Sequence, residues 1–201
     1  ADTIFLSKST SNSLFQAWPW SSSGFGTLYT APASSGLLGS IDCHPSSNAV
    51  VANATASGTP YVAAWAWTNG TGWGSKFSNP ASAAPTSGVS PRFSPNGSYV
   101  VGSSPGTPYI KGWNWSSSGF GTAFSNPSST IPSSGNGMAW SPSGNVVVIF
   151  HNSSPYVTAY AFSSSGYGTK FANPSSLPAS GTTGSTNNGS FNSSGNYLCM
   201  G

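Results

Sequence analysis

The side chains able to act as acid, base, nucleophile or metal ligand in this 201-residue chain are few: Asp2, Asp42, His44, His151, Cys43 and Cys199, beside four Lys and one Arg. Catalysis by paired carboxylates needs two acids within reach of one substrate bond. The sequence contains no Glu, and with Asp2 next to the first residue, Asp42 has no carboxylate partner. Ser40, Asp42 and His44 alternate, so on a strand they share a face and have the composition of a hydrolytic triad. Neighbours along one strand face do not converge as nucleophile, base and orienter must, and the preferred reading is the polar end of a strand at a turn. The two His and two Cys have no zinc-like spacing. No catalytic residue, metal ligand or cofactor is assigned, and the chain is expected not to be an enzyme.

Four aromatic residues stand out by position. Phe25, Trp73, Phe120 and Tyr167 each sit in a Gly-aromatic-Gly triplet, at intervals of 48, 47 and 47 residues. The triplets lack the Lys-Ser/Thr ending of a phosphate loop. Read as turns, they place four rings on one rim, where aromatics stack on sugars or form a protein contact. In the competing reading each ring folds down to close its own repeat.

Composition narrows the classes further. Charged residues make up 3% of the chain, against roughly 25% in ordinary domains. The net charge of +3 is a shortage of acid and not a basic patch, which argues against nucleic-acid binding through phosphates. Eight Trp, eight Tyr and eleven Phe argue against disorder. The longest apolar runs, such as "NVVVIF", are too short to span a membrane, and no signal peptide is visible in the sequence. Asn-x-Ser/Thr sequons are about as frequent as this Asn-, Ser- and Thr-rich composition produces by chance, and carry no weight.

The repeat is what positions the aromatics. Within one period, "GMAWSPSG" reads as a strand ending at Trp140 and a turn in which Pro presets φ and Gly accepts a positive one. "NVVVIF" suits a strand buried on both faces. "PYVTAYAF" alternates, with Tyr156, Thr158, Tyr160 and Phe162 on one face, and "GTKFAN" is short and polar, as an outer edge strand should be. Four short antiparallel strands in units of 40 to 50 residues are the pattern of a β-propeller blade. The expected fold is therefore all-β, a propeller of about four blades in one domain over residues 1–201. The units run roughly 1–36, 37–87, 88–135 and 136–184, with 185–201 a closing or surplus half-blade.

The segments "FSPNGSYVVGSSPGTPYIKGW" (Phe93 to Trp113) and "WSPSGNVVVIFHNSSPYVTAY" (Trp140 to Tyr160) resemble WD40-type repeats. They are also similar to the highly repetitive, uncharacterised WD40-like proteins of bacteriophage and environmental sequences. In the family a strand-a aromatic precedes Ser-Pro-x-Gly and strand c ends in Trp; here that position is Trp18, Trp65, Trp113 and Tyr160. The Asp that should follow is Pro19, Ala66, Asn114 and Ala161, and the Gly-His pair is absent, so the family's buried Asp-His-Ser-Trp network cannot form. Aromatic and aliphatic packing between blades has to replace it.

The strand count leaves a remainder. The chain opens in strand b ("DTIFLSK") and ends in "GSFNSSGNYLCMG", read as a plus b, so the terminal strand a is expected to close the first blade in a four-bladed ring with one surplus strand; the alternatives are a ring of about eight blades shared by two chains, or an excerpt of a larger propeller. Cys43 and Cys199 read as small buried apolar residues, and a disulfide between them becomes available if the ring closes. The function expected is a non-enzymatic binding or assembly module, extracellular or on a virion surface. Its partners would be itself, other virion or surface proteins, or glycans, with no nucleic acid and no membrane insertion. A lectin-like propeller is the alternative, and a propeller-fold hydrolase a more distant one.

Overall fold

Each repeat folds as a meander because its apolar runs are short, rich in β-branched and aromatic residues, and separated by turn residues. The computed structural model describes residues 2–7, 15–32, 39–53, 60–86, 89–178 and 189–200. All regular structure among these residues is strand, in five antiparallel sheets.

The first sheet holds β1 (Asp2–Ser7), β2 (Phe15–Ser21) and β3 (Gly24–Phe25). Three complete four-stranded blades follow. The second sheet is β4 (Ile41–Cys43), β5 (Ala49–Asn53), β6 (Val62–Thr68) and β7 (Gly72–Lys76). The third is β8 (Ser90–Phe93), β9 (Tyr99–Ser103), β10 (Ile110–Ser116) and β11 (Gly119–Ala123). The fourth is β12 (Gly135–Trp140), β13 (Val146–His151), β14 (Val157–Ser163) and β15 (Gly166–Lys170). The last sheet has two strands, β16 (Gly189–Phe191) and β17 (Leu198–Met200). This is a propeller-type array of blades. The expected pairing of the terminal strand a with the first blade is not made, since β16 pairs with β17.

The core lies between blades, and strand alternation builds it. In β9, Val100 joins Val51, Val62 and Ala64 of the second blade, while the next residue, Val101, joins Met138, Val147 and Ile149 of the fourth. That is why β5, β9 and β13 are buried on both faces, as their unbroken apolar runs require. Phe15 and Ala17 cover the second blade from the first, and Phe191 and Leu198 cover the fourth from the last.

The Ser-Pro-x-Gly turns fold for a local reason. In the third blade the Ser94 hydroxyl accepts the N–H of Tyr99 at 3.0 Å, and Gly97, at φ 72°, donates to the Ser94 carbonyl at 2.8 Å. The same bonds recur at Ser141 and Gly144.

Where the WD40-like buried network is missing, main-chain contacts stand in. Trp113 Nε1 donates to the Ser82 carbonyl at 2.8 Å, and the Tyr160 hydroxyl donates to the Ser129 carbonyl at 2.6 Å. In both cases a fully buried strand-c ring is tied to the loop that leaves the preceding blade.

Candidate functional site

The four Gly-aromatic-Gly residues occupy equivalent places, and those places differ from the expected turn tips. The tight turn comes earlier: Ser163–Gly166 closes the fourth blade's outer hairpin, and Tyr167 already pairs with Phe162. Trp73 likewise pairs with Trp67, Phe120 with Trp115 and Phe25 with Trp20. As paired strand residues, the rings lie over the aromatics of strand c. Tyr167 stands edge-on to Tyr160 and Phe162, and Phe120 to Trp113 and Trp115. Trp73 is edge-on to Trp65 and Trp67 and stacks on Phe15 at 5.0 Å. Phe25 contacts Trp18 and Trp20 in the same way but is 63% exposed.

The four rings therefore do not form one open rim. Burial pushes the Tyr167 phenol well above its ordinary range, with the nearby Tyr160 adding to the effect, and its oxygen has no hydrogen-bond partner. Trp73 borders an open cleft of about 620 Å³ between the first two blades, with Pro19, Leu28, Tyr29 and Thr71.

A second aromatic series, which the sequence reading did not single out, stands four residues further on: Tyr29, Phe77, Phe124 and Phe171. Each follows a blade's outer strand, and the first three reach the next blade. Tyr29 meets Trp67 at 5.1 Å, Phe77 meets Trp115 at 5.1 Å and Phe124 meets Phe162 at 5.3 Å. These three also sit over the glycine that opens the next blade's outer strand. A Cβ there would lie 2.9 Å from Tyr29 at Gly72, 3.0 Å from Phe77 at Gly119 and 2.8 Å from Phe124 at Gly166. These glycines have φ of 97°, 98° and 94°, so a side chain is excluded both by conformation and by the ring above. The spacing of 47 or 48 residues between these rings was the available signal.

Ser40, Asp42 and His44 do not act on a common point. Asp42 accepts the N–H of Phe93 at 2.7 Å, and Arg92 donates to the Ile41 carbonyl at 2.7 Å, so this strand end is a tie between the second and third blades. Burial raises the Asp42 carboxyl above its ordinary 3.8, against the opposing pull of Arg92 and the Phe93 N–H. His44 accepts the Ser46 N–H on Nδ1, which leaves Nε2 to donate to the Gly97 carbonyl at 3.0 Å.

Both cysteines are free. Cys43 is half-buried beside Ala17, Val50 and Trp67, and burial, reinforced by Asp42, pushes its thiol up to about 12. Cys199 was expected to be buried and is exposed, since among the described residues its strand β17 pairs only with β16. His151 is buried, with Nε2 2.9 Å from the Thr158 hydroxyl, and burial holds it below the usual imidazole range. Among the described residues, no three of His, Cys, Asp and Glu come together as a metal site would require.

The comparisons agree with this geometry at the level of fold. No protein-family model matches the chain, and no curated protein matches it in sequence. Among solved structures it is similar to the Dos1 propeller, at TM-score 0.64 and 15% identity, over 100% of this chain and 48% of that one. It is also similar to a candidate 6-phosphogluconolactonase from Bacteroides uniformis, at TM-score 0.66 and 12% identity, over 98% of this chain and 60% of that one. The chain thus spans about half the length of one of these propellers and three fifths of the other.

Proposed function

We propose that the chain is a non-enzymatic binding or assembly module of an extracellular or virion-surface structure. One observation carries this reading. The large apolar side chains that stay exposed among the described residues are Trp20, Phe25, Leu28, Phe171, Leu177, Tyr197 and Met200. All of them belong to the first sheet and its exit or to the segment beyond the fourth blade, and none to the second or third blade. Apolar surface gathered at two ends and absent between them is the distribution of contact surfaces. The sparsely charged coat favours a protein whose contacts depend little on salt. The WD40-like repeats fit the repetitive phage-associated proteins they resemble.

The lectin-like alternative draws on the cleft beside Trp73, where a buried indole N–H is unpartnered. The hydrolase alternative draws on the lactonase name of one neighbour, but Asp42, the acid it would need, is committed to the tie with Phe93.

A glycan array read in parallel with lactone and glycoside hydrolysis separates the three. No turnover is expected, and turnover abolished by Asp42→Asn would overturn the main reading. Glycan binding lost in Trp73→Ala would establish the lectin version, and the absence of any glycan response removes it.

A further inference from the structure

The interior junctions define what each end of the array is missing. At each junction a ring from one blade, Tyr29, Phe77 or Phe124, docks against a strand-c aromatic and a positive-φ glycine of the next. The receiving aromatics Trp67, Trp115 and Phe162 are 3%, 8% and 5% exposed. The first blade carries the same socket, open among the described residues: Trp20 is 39% exposed, and apart from Gly24 and its chain neighbours no described atom lies within 4 Å of where a Cβ on Gly24 would stand, at φ 96°. The fourth blade carries the same ring without a seat among the described residues, Phe171 being 49% exposed where the equivalent Phe124 is 7% exposed. Among the described residues the last sheet consists of β16 and β17.

We infer that two copies of this chain join head to tail, with Phe171 of one seated on Trp20 and Gly24 of the other, so that both junctions form and the ring closes. This rests on the reading of the chain as an assembly module and names its partner. The backbone fits the same scheme. Among the described residues no strand pairs with the outer side of β1, and β16 corresponds to the innermost strand of the complete blades. Trp18 pairs with Ile4 as Tyr160 pairs with Val147 and Trp113 with Val100, so Ile4 holds the position that Leu198 holds in β17. Phe191, now opposite Leu198, would stand opposite Ile4 of the second copy, antiparallel as in every complete blade. β17, a three-residue strand at a free edge, gives way. Four blades from each copy make a ring of about eight.

The test is the mass in solution by native mass spectrometry and sedimentation equilibrium over a wide range of concentration. Wild type is expected to give a dimer of about 41 kDa, twice the chain mass of 20.3 kDa. Phe171→Ser and Gly24→Ala should each weaken it about ten-fold per junction, and so about a hundred-fold in a ring with two. Leu177→Ser, exposed but outside the register, should leave it unchanged. An equimolar mixture of Phe171→Ser and Gly24→Ala retains one intact junction, so its heterodimer should outlast either homodimer. A wild type that is monomeric throughout overturns the pairing, and the ends then belong to another protein or to further blades. The glycan and turnover assays decide separately whether the binding reading survives. A dimer indifferent to both substitutions also overturns it, by placing the contact elsewhere.

Discussion

Phe124 and Phe171 are the same residue in the same register of two successive repeats, yet they should respond very differently to truncation. Phe124 is 7% exposed, lies against Tyr99, Phe162 and Tyr167 at 5.7, 5.3 and 6.4 Å, and roofs Gly166. Phe124→Ala loses the transfer free energy of a nearly buried ring and leaves a cavity between two rigid sheets, for a cost of about 3–4 kcal/mol. Phe171 is half exposed and roofs no glycine among the described residues, so Phe171→Ala forfeits only part of a transfer term and opens no cavity, a cost of about 1 kcal/mol. Urea unfolding followed by Trp fluorescence, at concentrations where the chain is monomeric, gives both numbers. Because neighbouring blades are held by nearest-neighbour contacts, the Phe124 variant should also separate the transition into two steps. Equal losses for the two variants, or a loss at Phe124 under about 1 kcal/mol, would show that the aromatic junction does not hold the blades together.

Further outcomes follow from the same structure. Tyr160→Phe removes the 2.6 Å bond to the Ser129 carbonyl and should cost about 1 kcal/mol in the same unfolding assay. Gly72→Ala meets the Tyr29 ring at 2.9 Å as well as a φ of 97°, and should cost about 2–4 kcal/mol. Gly24→Ala shares the φ alone, and about 1–2 kcal/mol is expected in the monomer.

Two substitutions should change how stability depends on pH, in opposite senses. Burial raises the folded Asp42 above 3.8, so its contribution is complete below that value and is lost as pH climbs through the folded pKa; Asp42→Asn should abolish this slope. Burial lowers the folded His151 below 6.5, so its contribution is complete above 6.5 and is lost as pH falls through the folded pKa; His151→Gln should flatten that decline. Urea midpoints taken from about pH 3 to about pH 7 check both.

The blade was legible because its physics is local. "NVVVIF" has no polar face to expose, and it became β13 with both faces covered. The Ser-Pro-x-Gly turn carries its own φ requirements, and Gly97 and Gly144 fulfil them. The Gly-aromatic-Gly triplet misled because its first glycine does belong to a turn, while the ring is drawn into the strand by the aromatics across the hairpin, which one-dimensional spacing does not show. Phe77 and Phe124 escaped notice because they look like ordinary strand-end residues until the next blade is placed beside them. The fate of the terminal strand was not legible either: Leu198 and Ile4 have equal claims on Phe191 in register, and only coordinates show that β17 holds it in this chain.

The recurrence of one junction bears on how such an array changes size. Each repeat carries a ring for the blade after it and a seat for the blade before it, so any in-frame copy of about 47 residues brings one ring and one seat, wherever the copy begins. Inserting or deleting that length leaves every surviving seam chemically identical, and no compensating substitution is needed elsewhere. Blade number is then a quantity that a single recombination event can alter without an unfolded intermediate genotype, and curvature has only to accommodate the new count.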